Sequence, residues 1–412
     1  TRFDLSPELL RELSLIEEGE VKRIRLANLA IVGAFSVNGV SIEQSDVLSQ
    51  KLFPQFSNLF PERFNNKTNG VSHRRWLLCA NKGLVNLIER KIGSKWTKNP
   101  SELRNLEDYS NDMAFLFEMR NIKKAAKESF AKNAEKYSLL KINTDALFDA
   151  HCGKIHPYKR QVLHLLFILH RYIQISNGVL PKVKRVHIFA GKASPSDYLA
   201  KQIIHLINLV ADLINNDSVA SQYIQVLFIP NFGMSLAEKI ITSADLNEQI
   251  ATASFEPSGS FSLKFALNNC LTISSRCGAN LELAEKIGEN NIFMFGKTSA
   301  EIMKLPMYKP ADMINSDNRL KSIFLLFDKM LASVSDGHSI FPLLSSIRDT
   351  DRYFVLTDFD DYVRAQDAVD IAYGDSMVWN MKSLLSIARS SWFSSDRAVR
   401  EYAKEIWKVP SL

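Results

Sequence analysis

Apolar positions in the first third of the chain recur at intervals of three and four, the spacing of amphipathic helices. Leu9, Leu10, Leu13 and Ile16 carry the pattern through residues 7–18, and Ile24, Leu26, Leu29, Ala30 and Ile31 through 22–33, where Gly33 closes it. Residues 53–70, rich in Pro, Asn and Phe, read as a loop, and helical spacing returns over 74–91 and 111–137.

Past Leu139 the period changes. Short β-branched or aromatic runs, RVHIFA (185–190), QVLFI (225–229), CLTI (270–273) and NIFMF (291–295), alternate with helical stretches at 197–215, 236–244 and 282–287. Near-continuous apolar strands alternating with helices predict an α/β fold with a doubly wound parallel sheet. Such sheets bind ligands beyond the carboxyl ends of their strands, so the loops just after each strand become the candidates. A last helix is expected over 396–407, with Asp396 as its cap.

Composition narrows the class. Hydrophobic residues make up 46% and charged residues 23% of the 412, the balance of a globular chain long enough for two or three domains. The most apolar stretch, 162–173, is interrupted by His164, His170 and Arg171, so no membrane span is expected. The opening Thr-Arg-Phe-Asp has no secretory pattern and no initiator Met, from which a fragment or processed form is expected. Cys79, Cys152, Cys270 and Cys277 lack paired spacing and read as free thiols, and no metal site is expected. The net charge of +6 is dispersed, which argues against a nucleic-acid partner.

Three segments carry chemistry. Ala190-Gly191-Lys192-Ala193-Ser194-Pro195 follows a strand and leads into a helix, an arrangement that suits an anion or a plain turn. Glu256-Pro257-Ser258-Gly259-Ser260 feeds a helical turn in which Lys264 lies between Leu263 and Phe265. Burial there would lower the lysine's proton affinity and suit attack on an aldehyde; a lysine snorkelling along its stem fits the same pattern. His156-Pro157-Tyr158-Lys159-Arg160, near Lys154, combines a histidine that resists protonation with cations able to hold a phosphate, or is a solvated helix start.

Taken together and in order, these segments resemble the glycogen, starch and maltodextrin phosphorylases. The likeness runs through SLIEEGEVKRIRLANLAIVG (14–33), SVNGV (36–40), FNNKTNGVSHRRWLL (64–78), KIHPYKRQ (154–161) and AGKASP (190–195). It continues through SLAEKIITSADLNEQI (235–250), EPSGSFSLKF (256–265), GANLELAEKIGENNIFMFG (278–296) and FSSDRAVREYAKEIWKV (393–409).

The resemblance implies a GT-B-type glycosyltransferase: a Rossmann-like carboxyl-terminal lobe over 71–390, a helical remnant of the amino-terminal lobe over 1–70, and a terminal helix, 391–412, packing back toward it. It further implies phosphorolysis of terminal α-1,4-glucosidic bonds by orthophosphate, giving α-glucose-1-phosphate. Pyridoxal 5'-phosphate would be held at the residue matching Lys264, with its phosphate group acting as acid and base. Ser260 and Phe232 fall at other cofactor positions; Lys159, His156, Tyr158 and Lys154 at catalytic ones; Asn69, Glu256, Ser258 and Gly259 at glucosyl-binding ones. A homodimeric full-length protein in the cytoplasm, or a plastid, is part of the same implication.

The sequence departs from the family at the chemistry. Gly153-Lys154 stands where the family carries Lys-Arg, Phe232-Gly233 where it carries Tyr-Arg, and Pro157 where it carries Glu. Ser260-Phe261-Ser262 replaces Thr-Gly-Asn, Phe35 replaces a histidine, and Cys277 replaces an aspartate. The expected enzyme therefore has an alternative, a catalytically impaired or non-catalytic descendant that binds glucan or a partner. A sugar-nucleotide glycosyltransferase of similar architecture leaves Lys264 and its flanks without a purpose.

Overall fold

A computed structural model describes residues 5–136, 140–253, 255–256, 259–305, 308–333 and 340–410. The chain divides into two compact units, residues 1–70 with 395–412, and residues 71–394. No helix among the described residues is long and apolar enough to cross a membrane.

In the smaller unit the helix expected at 7–18 ends at Leu13, because Ile16–Glu17 pairs antiparallel with Arg23–Ile24. The next helix accordingly begins at Leu26. Residues 53–70 are not a loop: Pro54 opens the helix Pro54–Leu59 from its first position, where its missing N–H is no loss, and Phe64–Asn66 pairs with Val37–Gly39. Buried Lys67 bonds Asn65 Oδ1 and the Asn66 carbonyl, each at 3.0 Å, and pairs with Glu405 at 2.9 Å. Arg397 Nη2 donates to the Thr68 carbonyl at 2.6 Å, so the terminal segment is stitched into this unit. That segment is helical from Ser395, which puts Asp396 inside the first turn rather than at its cap.

The larger unit is built on six parallel strands: β1 Leu147–Lys154, β2 Arg185–Lys192, β3 Ile224–Ile229, β4 Leu246–Gln249, β5 Leu271–Ser275 and β6 Phe293–Phe295. Their spatial order is β6-β5-β4-β1-β2-β3. The direction of winding therefore reverses between β1 and β4, which is where such sheets open a ligand crevice.

Alternation along the strands feeds two cores. Phe148, Ala150, Cys152, Val186, Ile188 and Ala190 join one apolar cluster; it includes residues of α1 (Met113–Ala134), α4 (Met234–Ser243), α5 (Ser260–Ala266), α6 (Gly278–Ile287) and α8 (Ser376–Arg389). Leu147, Phe189 and Val226 join the other, with α2 (Gln161–Ser176), α3 (Tyr198–Asn215) and α7 (Phe359–Gly374). The run expected to be helical over 74–91 splits into a wide turn, Arg74–Cys79, and a helix, Lys82–Ile92, capped by Asn81.

β1 and β2 meet closely at their carboxyl ends. A Cβ on Gly191 would lie 2.4 Å from the Gly153 carbonyl oxygen and 2.7 Å from Ile155 Cδ1. Both are closer than real contacts allow, and one is backbone. Gly191→Ala is expected to cost about 1–3 kcal/mol, read as a lower urea midpoint with an unchanged slope.

Candidate active site

The switch between β1 and β4 brings two loops side by side. After β1 comes Ile155–Arg160; after β4 comes the stretch from Ile250 to Gly259. They are joined by backbone, since Thr252 N donates to the Tyr158 carbonyl at 2.9 Å. They are joined again by charge, with Lys159 Nζ ion-paired to the Glu256 carboxylate and both side chains largely buried.

His156 shapes the first loop. Its Nδ1 accepts from Tyr158 N at 3.2 Å, capping the single turn Pro157–Lys159, and its ring lies 4.7 Å from that of Tyr158. Its Nε2 faces Asp197 at 3.7 Å, at the start of α3. Burial lowers the imidazole's proton affinity, Lys154 and Arg352 add to this, and Asp197 opposes it. Burial, then Glu256, pushes the Tyr158 phenol up to about 12, so it stays a neutral donor. Lys154 is exposed, with Nζ 5.8 Å from the centre of the Tyr158 ring.

Arg160 closes the loop in a left-handed conformation, φ 57°, and is buried. Nε donates to the Ile250 carbonyl and Nη1 to Asp358 Oδ2, each at 2.6 Å. The guanidinium thus pins the point where β4 runs into the second loop.

Gly259 precedes α5 with φ +51°, and a Cβ there would meet Ala279 Cβ at 3.0 Å; the helix start needs glycine for both reasons. Ser260 opens α5. Lys264 lies one turn on, its Nζ 4.4 Å from the centre of the Phe261 ring and 4.6 Å from that of Trp76. Burial lowers its proton affinity. The Asn268 amide donates to the carbonyls of Lys264 and Trp76 at 2.9 and 2.6 Å, and its oxygen accepts from Asn81 Nδ2 at 3.1 Å. One buried amide therefore holds the lysine's helix against the tryptophan.

The other side of Phe261 is apolar. Its ring is 6.0 Å from that of buried Phe232, and it covers Gly153, where a Cβ would sit 3.8 Å from Phe261 Cε2. Gly153 has φ +126°, a backbone state side chains disfavour.

The expected site residues thus fall in several places. Lys154, His156, Tyr158, Lys159 and Glu256 assemble at the switch point. Lys264, Ser260, Phe232 and Gly259 lie on or beside α5. Asn69 belongs to the smaller unit, where its N–H bonds the Val40 carbonyl at 3.1 Å. Ser258 lies outside the described residues. Sequence reasoning missed Trp76, Asn268 and Asp197; the only signal was the place of Trp76 within HRRWLL.

The strand order, with a lysine of lowered proton affinity among rings and a lysine–glutamate pair at the switch, defines a doubly wound α/β lobe. The chain matches the carbohydrate phosphorylase family over residues 1–409, and it belongs to that family. Its doubly wound sheet is that of a GT-B-type glycosyltransferase. It is 39% identical over 403 residues to the glycogen phosphorylase of Synechocystis sp., covering 97% of this chain and 48% of that protein. It is 40% identical over 412 residues to the liver-form glycogen phosphorylase of Bos taurus, covering 99% and 48%. Against the glycogen phosphorylase of Bacillus subtilis the identity is 39% over 401 residues, covering 94% and 49%. The chain spans about half the length of the curated relatives it matches.

Proposed function

We propose that this chain is the cofactor-carrying, carboxyl-terminal part of an α-1,4-glucan phosphorylase, acting with orthophosphate at the nonreducing ends of glucan to give α-glucose-1-phosphate. The observation that carries this reading is Lys264, a half-buried amine with lowered proton affinity beside the sheet's switch point. The glycogen phosphorylases it resembles in sequence support the same reading.

Lys264 fits the aldehyde end of pyridoxal phosphate, because a lysine that sheds its proton readily is the nucleophile an aldehyde needs. Phe232, Phe261 and Gly153 form an apolar wall, and the family's cations at the positions of Gly153 and Gly233 are missing, so the phosphate end fits poorly. When bound, the cofactor supplies a phosphate group that exchanges a proton with the substrate phosphate.

The chain's own residues take the remaining roles. Lys159 and Lys154 attract phosphate, Tyr158 donates from a neutral phenol, and neutral His156 offers hydrogen bonds to sugar without adding charge. Glu256, with Ser258 and Gly259, accepts and orients glucosyl hydroxyls, and Asn69 has a sugar-binding role only by the family resemblance. Residues 1–70 and 391–412 are then the edge of the other lobe, and the full-length enzyme is a cytoplasmic homodimer.

The apolar wall favours a second reading, an impaired descendant. Each charge-assisted phosphate contact contributes roughly 1.5–3 kcal/mol, so two missing cations weaken binding by about two to four orders of magnitude.

The test is covalent. The folded chain is incubated with pyridoxal phosphate, reduced with borohydride and mapped by peptide mass spectrometry. Label is expected on Lys264 and absent from Lys264→Arg. Because a lower proton affinity leaves more free amine at a given pH, labelling of Lys264 should outlast that of exposed lysines as pH falls toward neutrality. A folded chain that takes no label at Lys264 sinks the catalytic reading and leaves a binding relic.

A further inference from the structure

Beneath the switch point, on the face of the sheet covered by α2 and α7, the core holds ionisable side chains that the proposed reaction does not use. Asp149 of β1, His164 of α2 and His187 of β2 are all 0% exposed. His164 Nε2 lies 2.9 Å from His187 Nδ1 and 3.5 Å from Asp149 Oδ2, while His187 Nδ1 lies 3.2 Å from the same oxygen. Glu248 of β4, also buried, brings its Oε1 to 3.9 Å from His164 Nε2.

Protons alone serve this triangle badly. A neutral imidazole carries one N–H, so each ring nitrogen offers either a proton or a lone pair. A proton on His164 Nε2 leaves His187 Nδ1 and Asp149 facing each other lone pair to lone pair. A proton on His187 Nδ1 directed at Asp149 leaves the two ring nitrogens unbonded across their short contact. Protons on both set N–H against N–H. A cation bound by all three atoms makes every edge favourable.

The dimensions suit one. Three atoms with these separations lie on a circle of radius about 1.9 Å. Zinc bonds to His nitrogen and carboxylate oxygen are about 2.0–2.1 Å, so an ion just out of the plane reaches all three, and tetrahedral ligands then stand about 3.3 Å apart. Glu248 stands just outside the triangle, its oxygens accepting from Tyr362 Oη at 2.9 Å and Gln366 Nε2 at 2.7 Å, and would complete the set by turning inward. Arg185 Nη1 donates to Asp149 Oδ2 at 3.1 Å and to Gln366 Oε1 at 2.6 Å, while its Nη2 donates to Asp370 Oδ1 at 2.6 Å. Asp149 Oδ1 has no partner among the described residues, an unbalanced position for a buried carboxylate. The outer nitrogens, His164 Nδ1 and His187 Nε2, also lack partners there, so the tautomers are set by the inner contacts alone.

We propose that Asp149, His164 and His187, completed by Glu248, form a buried structural site for a first-row divalent cation, zinc in particular, taken up as the chain folds. It lies apart from the cofactor lysine and departs from the sequence expectation of no metal. Its residues come from three strands and a helix that meet only in the folded core, without the local ligand spacing that marks zinc motifs.

The chain is expressed in zinc-supplemented and, separately, cobalt-supplemented medium, passed over a chelating resin and gel-filtered. About one equivalent of zinc per chain is expected by plasma mass spectrometry, and the cobalt form should show the intense visible bands of a four-coordinate ion. His187→Gln and Asp149→Asn are expected to lower metal retention by more than the roughly 10–100-fold that losing an outer-shell partner costs. Since either variant could misfold, the wild-type chain is also refolded with EDTA and with zinc, and only the zinc sample should regain a full equivalent and the higher melting temperature. A folded wild-type chain without stoichiometric metal from either medium, and with a melting temperature indifferent to zinc during refolding, overturns the proposal.

Discussion

Arg160→Met is expected to lower the unfolding free energy by about 3–5 kcal/mol, the cost of breaking a buried ion pair from one side. Methionine keeps most of the side chain's apolar length but leaves Asp358 with an uncompensated buried charge and the Ile250 carbonyl without the Arg160 N–H it accepts from. The loss is local as well as global. Ile250 is where β4 gives way to the loop carrying Glu256, so the switch-point crevice loosens with the core. Urea denaturation measures the first effect. For the second, borohydride trapping at Lys264 should fall under conditions where the variant is still folded. A change below about 1 kcal/mol would show that Arg160 is solvated in the native chain, as an exposed pair would be.

Gly233→Arg is expected to tighten pyridoxal phosphate binding by roughly 10–150-fold, the equivalent of one charge-assisted phosphate contact of about 1.5–3 kcal/mol. The backbone can take the change. Gly233 has φ −140°, ordinary extended geometry, and the nearest atom to an added Cβ is the Asn231 carbonyl oxygen at 3.8 Å. Gly153, the other position where the family carries a cation, cannot be restored so simply, because its φ of +126° opposes any side chain. Fluorescence titration of the cofactor reads the effect directly. An unchanged dissociation constant would mean that the phosphate does not reach this corner of the site, and the family's placement of the cofactor would not carry over.

How much was legible followed burial. Strands β2, β3, β5 and β6 show apolar runs and are visible in the sequence. β1 and β4, the two that flank the switch, are not, because Asp149, His151, Asn247, Glu248 and Gln249 interrupt their apolar character while being buried. Periodicity assumes that polar residues face water, and here the central strands carry polar residues into the core, where partners on α2, α7 and neighbouring strands meet them. Proline misled in the other direction: Pro54 among Asn and Phe suggests a loop, yet it begins a helix. The candidate site was legible where chemistry is local, in the loops around His156 and Glu256 and in the turn around Lys264. Trp76 and Asn268 were not, since the hydrogen bond that joins them spans 192 residues. Nor does local sequence reveal that Phe261, Phe232 and Gly153 pack as one apolar wall.

The pairing of Lys159 with Glu256 has a consequence for how two ligands share the crevice. Each side chain is the other's occupant in the free chain, so a sugar that takes the carboxylate must release an ammonium, and an anion that takes the ammonium must release a carboxylate. Either ligand thus does part of the other's work in advance. By thermodynamic reciprocity the help is equal in both directions. On the proposed roles of these two residues, sugar and phosphate occupy the crevice as a heterotropic pair, each weak alone and stronger together.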